Sequence, residues 1–243
     1  MVLASPQKTR WRTIGPYLST IASKAALLEE TRLFLVAYGQ HVDLETTVQV
    51  LVNHTLAQRS RETRTLIAKI ICARLVRWNP PAWVLHDLVS FAHAGSLDAL
   101  HAALLLHVSR QDHLLYAFVQ AVIRPRWLLG ACEIAVAEAQ TFFDAEQPEH
   151  PEIAHWGFET RLRLARGLLA TLRDYGLLKG AANKHIVLPV IPTTVVHHLI
   201  RLLQAEGIPQ GQMADHHDWR LWLWSPAQAQ AAIETFLKEE HGV

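Results

Sequence analysis

The sequence predicts a mainly α-helical protein: a compact multi-helix fold with helix-turn-helix-like elements and a small winged-helix-like β segment near the C-terminus. Three observations carry this expectation. Apolar residues recur at helical spacing along most of the chain. Proline, glycine and Ser or Asp cap residues punctuate that pattern at short intervals. Runs with strand character, rich in Val and Ile or alternating in Trp and Leu, occur only after residue 183. A chain of 243 residues, half of them hydrophobic, buries a core of useful size.

Taken in order, Leu27, Leu28, Phe34, Leu35 and Tyr38 form the stripe of a first helix over 26–38, with Gly39 as its stop. A short helix over 44–53 and a longer one over 60–78 follow. Ser60 caps the longer one, and Asn79, Pro80 and Pro81 end it. The middle of the chain repeats this grammar in helices over 80–94, 96–108, 112–123 and 129–145, with Ser96 and Asp112 as caps. The acidic stretch 144–151 holds Pro148 and Pro151 and reads as a linker. It divides the chain into an N-terminal helical domain, 1–147, whose helix-turn-helix-like element spans 44–78, and a winged-helix-like domain, 148–243. In the latter we expect a helix over 158–175 stopped by Gly176, a strand over 184–191, a helix over 194–205, a short strand over 219–224, and a last helix opened by Ser225 and Pro226. No internal repeat or low-complexity tract is apparent.

Several function classes fall away at this level. The longest uncharged stretch, 185–200, has 16 residues and contains two prolines, too short and too broken for a membrane span. No apolar run follows the basic N-terminus, so no signal peptide is expected. Cys72 and Cys132 lie far apart without paired spacing, which suits a reducing cytoplasm. No glycine-rich phosphate loop, nucleophile elbow or dinucleotide fingerprint occurs. None of the 15 histidines forms an i, i+4 pair, and only the run Asp215, His216, His217, Asp218 is worth weighing as a metal cluster. Glu29 with Glu30 and Glu239 with Glu240 are adjacent pairs whose side chains diverge by about 100° on a helix, which suits solvated faces. The tryptophans of 219–224 read as core packing rather than as a base-stacking platform. We therefore expect no metal site, no cofactor and no catalytic set.

The charge pattern is more informative. Residues 1–78 carry 11 Lys and Arg against 5 Asp and Glu, a surplus of +6, while the remainder carries 12 against 17, or −5, so the overall +1 conceals a basic N-terminal part. On a helical wheel of 60–78, Leu66, Ile67, Ile70, Ala73 and Trp78 face the core. Arg61, Thr65, Ala68, Lys69 and Cys72 lie opposite, with Arg64 at the edge and Arg59 just before the helix. A helix that enters a major groove needs cations flanking small residues, because bulky side chains hold its backbone away. Arg74 and Arg77 project from the apolar side and are expected to pair with acids such as Glu29 or Glu30. A second case arises in 158–175, where Leu164, Ala165, Leu168, Leu169, Leu172 and Tyr175 form the core stripe. Arg163, Arg166, Gly167, Ala170 and Arg173 line the other face. Lys179 and Lys184 then follow, in the order of a recognition helix and its wing.

Two sets of residues also carry a resemblance. The first is Glu30, Thr31, Leu33, Tyr38, Val52, Asn53, Ser60, Thr63, Arg74 and Leu75. The second is Trp156, Thr160, Leu164, Leu169, Leu172 and the run Asp174, Tyr175, Gly176, Leu177, Leu178. In this order they resemble the BrxA family, small core proteins of bacteriophage-exclusion (BREX) phage-defence systems. The resemblance implies a helical protein that binds double-stranded DNA without catalysis of its own, beside partners that include a DNA methyltransferase, large ATPases and a phosphatase-like protein. The combined expectation is a cytoplasmic, non-enzymatic, duplex-binding component using Arg59, Arg61, Arg64, Thr65, Lys69, Arg163, Arg166, Arg173, Lys179 and Lys184. The alternative is a scaffold whose basic faces dock to other defence subunits, such as the methyltransferase or an ATPase, without touching DNA.

Overall fold

A computed structural model of the protein describes residues 11–241 apart from Ile14, Ser23, Val42 and Ala182; Lys8 and Arg10, counted in the basic N-terminal surplus, and the side chain of Glu240 lie outside the described residues. The chain enters as an irregular strap that makes one 3₁₀ turn, Thr20–Ala22. Helices α1 (Leu28–His41), α2 (Leu44–Val50) and α3 (Arg61–Leu75) follow, α2 widening into a π turn at Leu51–Thr55. Asp43 caps α2 and Ser60 caps α3, each accepting from a backbone N–H three residues on. Helix α1 runs through Gly39 rather than stopping there. A Cβ at that position would lie 2.7 Å from a methyl of Val89, so the glycine serves the close approach of α4 (Ala82–His93).

Helix α5 (Asp98–Gln111) is buried along almost its whole length and forms the axis of the core. Asp112 caps the next helix, which runs as α6 (His113–Phe118), a π turn (Val119–Ile123) and α7 (Arg124–Leu128). The wide turn sits just before Pro125, which cannot donate the backbone hydrogen bond that a regular helix requires there. Strand β1 (Glu133–Ile134) comes next, where the sequence reading had already begun a helix, and α8 starts only at Val136 (Val136–Glu146). After a 3₁₀ turn (Pro151–His155) come α9 (Phe158–Asp174), β2 (Leu178–Lys179) and β3 (Lys184–Ile186), a strand shorter than expected. The three strands form one antiparallel sheet in the order β1-β3-β2, with Glu133 opposite His185 and Leu178 opposite Ile186.

Helices α10 (Thr193–Ala205), α11 (Gln210–Met213) and α12 (Pro226–His241) complete the fold. The expected strand over 219–224 is instead a 3₁₀ turn, His217–Trp222. Residues three apart align in such a turn, so Trp219 and Trp222 enter the core together, where their indole N–H groups donate to the carbonyls of Met213 and Ala102. The class read from the sequence, mainly helical with a little sheet, is the class of the structure.

The expected boundary at residue 147 falls between α8 and α9, which pack together. Arg161 of α9 bonds the Asp144 carboxylate and the Gln147 amide, each at 2.6 Å. The sheet joins β1, before the boundary, to β3, after it. The acids of the supposed linker hold the strap: Glu146 accepts from the Tyr17 hydroxyl at 2.6 Å and Glu152 from its backbone N–H. Gly176 ends α9 with φ +82°, as the sequence indicates.

Two buried polar groupings cross the core. Arg110 donates to Asp218 (2.8 Å) and Glu206 (2.6 Å), and Arg12 of the strap joins the same Asp218 carboxylate. Burial alone would raise the Asp218 pKa, but the facing arginines hold its carboxyl well below the usual range. The other grouping is a relay in which Asp87 meets His198 Nδ1 at 2.8 Å and His198 Nε2 meets His107 Nε2 at 2.8 Å. Burial lowers both histidines, His107 far below its ordinary value. With His198 donating Nδ1–H to the carboxylate, its Nε2 accepts from His107, so the chain is satisfied with both rings neutral.

Two stability predictions follow from this packing. A Cβ on Gly167 of α9 would stand 2.5 Å from the Ile21 carbonyl oxygen, a backbone atom that cannot step aside, whereas one on Gly211 meets nothing. Gly167→Ala is expected to destabilise the fold by about 2 kcal/mol, a Tm lower by about 4–8 °C, despite alanine's better helix propensity. Gly211→Ala is expected to leave Tm unchanged or slightly raised. The pH dependence comes from His101, His107, His198, His217 and His216, the last pushed down to about 4, all lowered first of all by burial. Their folded pKa values lie below the unfolded value of about 6.5, so the unfolded chain binds more protons and stability falls as pH drops below that value. Asp112, raised by burial, works in the opposite sense, but it is a single group. The urea midpoint should therefore decrease from pH 7.5 to pH 5, before most carboxylates titrate; a flat profile would contradict this account.

Candidate nucleic-acid interface

The basic faces of α3 and α9 are formed differently. On α3 the buried residues are Ile67, Ala68, Ile70, Ile71, Cys72, Arg74 and Leu75. Ala68 and Cys72, expected as the small centre of an exposed basic face, are thus core residues, and Leu66, expected in the core, is 46% exposed. The wheel is turned because α3 packs on both α1 and α5, and close helix contact selects small side chains as readily as an exposed groove does. Arg59, Arg61 and Lys69 remain exposed and Thr65 is half-buried.

Arg64 is not available to a ligand. Its Nε donates to the Val52 carbonyl at 2.6 Å, and its Nη1 donates to those of Gln58 and Arg59. The guanidinium therefore closes the loop that joins the π turn to α3. Arg74 is buried, as its position on the apolar side implies, but its hydrogen-bond partners are not acids. It donates to the carbonyls of Lys24, Ala25 and Ala26 at 2.9–3.1 Å. Of the expected acids, Glu29 pairs with Arg32 and Glu30 accepts from Gln58, while Arg77 is exposed.

Helix α9 presents three arcs. Leu164, Ala165, Leu168, Leu169 and Leu172 are buried as the sequence indicates, with Tyr175 beyond them. On the next arc, Gly167 is the seat of the strap's 3₁₀ turn at Ile21, so it is not open ground for a nucleic-acid backbone. The third arc stays in solvent and carries Arg163, Arg166 and Arg173, with half-buried Ala170 between the last two. Arg163 Nε lies 3.3 Å from the carbonyl of Glu159 on its own helix, and Arg173 pairs with its neighbour Asp174 in a largely exposed contact that water and salt weaken readily. Beyond Gly176, the β2–β3 hairpin presents Lys179 in solvent, whereas Lys184 turns its ammonium onto the Ala181 carbonyl at 2.7 Å and so braces the hairpin itself.

Two arginines outside the expected set position this face. Arg161 fixes α9 to α8 through Asp144 and Gln147, and Arg126 of α7 donates to the Glu133 carbonyl of β1 while facing Glu138. Only an i, i+7 relation between Arg126 and Glu133 hinted at the second, and nothing in the local sequence hinted at the first.

The run Asp215 to Asp218 does not assemble a ligand set. Asp218 is turned inward to Arg110 and Arg12, and the rings of His216 and His217 stack at 4.4 Å between centroids. Among the described residues no three His, Cys, Asp or Glu side chains converge as metal ligands, and no helix is long and apolar enough to cross a membrane.

Comparison with known proteins bears on this arrangement. A curated relative, the BREX protein BrxA of Bacillus cereus (strain H3081.97), is 24% identical over 186 residues, covering 75% of this chain and 90% of its own length. A crystal structure of an uncharacterized protein from Magnetospirillum magneticum matches with a TM-score of 0.64 at 14% identity, covering 86% of this chain and all of that one, and so shares the fold. The BrxA family model matches residues 15–202, a span that runs from the strap through α10 and includes both basic helices. The chain belongs to the BrxA family.

Proposed function

We propose that this protein is a non-enzymatic, double-stranded DNA-binding component of a BREX phage-defence system, and that α9 is the element that meets the duplex. The observation that carries the reading is the solvent-facing arc of Arg163, Arg166 and Arg173, a basic helix face with half-buried Ala170 and no large aliphatic side chain in its middle, and with Glu159 as its one exposed acid among the described residues. The order of elements supports it. A helix (113–128), β1, α8, α9 and the β2–β3 hairpin, with the sheet in the order β1-β3-β2, follow the plan of a winged helix. On this reading the winged-helix unit spans about 113–186 and replaces the division at residue 147. Helix α9 is its recognition helix, and the hairpin carrying Lys179 is its wing.

The chemistry is that of a polyelectrolyte complex. Each arginine set against a phosphate releases condensed counterions, and guanidinium forks on guanine edges add sequence preference where they reach. Arg166, exposed and in no ion pair with another described residue, is the strongest candidate for such a contact. Arg59, just before α3, and Arg61 in its first turn are placed to add to the field. The reading requires neither metal nor cofactor. Its partners are duplex DNA and the other subunits of the defence system, a methyltransferase and ATPases among them.

Arg163→Ala combined with Arg166→Ala is expected to weaken duplex binding alike on all sequences. At about 0.15 M salt each lost phosphate contact costs roughly fivefold, so the pair costs roughly 25-fold, and the slope of log affinity against log salt becomes shallower by about 2. Gel-shift titrations across salt, on specific and random duplexes, measure both quantities; absent or salt-independent binding by the unaltered protein would sink the proposal. Arg64→Ala separates a basic residue that builds the fold from one that binds. It should lower Tm by several degrees, because the half-buried carbonyls of Val52 and Gln58 lose their donor, while leaving the salt slope unchanged.

A further inference from the structure

A groove of about 460 Å³ runs between α3 and the strap at Leu18–Thr20, on the other side of the strap's 3₁₀ turn from α9. Leu18, Leu66, Ile70 and Ala73 give it an apolar lining, and Lys69 and Arg77 stand over it. Both cations are exposed, and no acid among the described residues lies in pairing distance of either. The other charges along the groove are committed. Arg74 is bound to the strap carbonyls, Asp112 caps α6 and faces Arg74, and Glu62 beyond the far end accepts from Ser60.

Leu18 of the strap is 52% exposed and Leu66 of α3 46%, two large aliphatic side chains that line the same groove, on the side of α3 that a duplex would have to approach. Against a phosphate backbone they would hold the helix away and find no apolar counterpart, so a simple DNA surface does not account for them. An apolar floor under a cationic rim suits a segment whose one side is apolar and whose other side is acidic. We propose that this groove docks an acidic amphipathic segment of another protein, so that α3 takes a protein while α9 takes nucleic acid. This inference does not rest on the duplex-binding reading: either face can fail without the other.

The test uses the full chain and two labelled 16-residue helical peptides. One carries leucines at positions 3, 6, 10 and 13, glutamates at 1, 4, 8 and 12 and alanines elsewhere, and the other has glutamine in place of every glutamate. Fluorescence anisotropy at low salt should show the glutamate peptide binding at least tenfold tighter than the glutamine peptide. Lys69→Glu with Arg77→Glu should remove that preference, and Leu66→Ser should weaken both peptides. Since Lys69 and Arg77 are exposed and Leu66 lies outside the buried core, thermal melts should show these variants folded. Arg163→Ala with Arg166→Ala should leave peptide binding unchanged, and Lys69→Glu with Arg77→Glu, which act on a duplex only through the long-range field, should weaken duplex binding less than the α9 pair does. The proposal is overturned if the glutamate peptide does not bind, or if its binding ignores Lys69 and Arg77. It is equally overturned if the Lys69 and Arg77 changes weaken duplex binding as strongly as the α9 changes do, which would give the groove to DNA.

Discussion

The carbonyl groups of Lys24, Ala25 and Ala26 fix the relation of the two basic helices. These residues belong to no helix, so their carbonyls have no partner of their own, and buried carbonyls without donors cost about 1–3 kcal/mol each. Arg74 of α3 supplies donors to all three, and the Tyr175 hydroxyl at the end of α9 supplies a second to Ala26 at 3.0 Å. Helices about a hundred residues apart in the chain are thereby tied to one short piece of backbone. Leu27, at φ +53°, then turns the chain into α1, and the 3₁₀ turn just upstream lies on Gly167. The tie also decides which part of α9 faces water: the arc holding Gly167 goes to the strap, and the arc holding Arg163, Arg166 and Arg173 is left. Replacing Arg74 by a lysine would keep a charge but not the planar fork that reaches three acceptors at once.

How much of this was legible follows from the range over which each feature is determined. Ser60, Asp112 and Gly176 were readable because a cap is a local event, decided by a side chain and the next few N–H groups or by one left-handed backbone angle. The α9 core stripe was readable because its leucines leave one way to bury the helix. On α3 the same method turned the helix, since Ala68 and Cys72 are small for the sake of neighbouring helices and a wheel cannot distinguish that from smallness for a ligand. Two-residue strands such as β1 have no period to detect, so the sheet's first strand was hidden inside an expected helix, and its pairing with β3 across residue 147 could not be foreseen. The cut was placed on acidic residues and prolines that do mark a loop. Glu146 and Glu152 serve the strap, however, and that contact spans more than a hundred residues of sequence, beyond the reach of any local pattern.

The arginines show why composition alone could not pick out the cations that remain exposed. Arg64, Arg74, Arg110 and Arg161 are consumed by the fold, because a guanidinium near a helix end or a buried acid finds acceptors that no other side chain satisfies as well. Removing such a residue leaves those acceptors stranded, so its loss registers as instability whatever the protein binds. Among the described residues, the cations left exposed when the fold has met its own needs include Arg163, Arg166 and Lys179 on one face, Lys69 and Arg77 on another, and Arg59 and Arg61 at the start of α3. The basic surplus of residues 1–78 is therefore a poor guide, since two of its arginines on α3 are structural and part of it lies outside the described residues. The acidic total after residue 78 is equally misleading, since its acids are in good part paired internally: Asp218 and Glu206 with Arg110, Asp144 with Arg161, Asp87 with His198 and Arg201. What a charged partner meets is the unpaired remainder, and on α9 that remainder is positive.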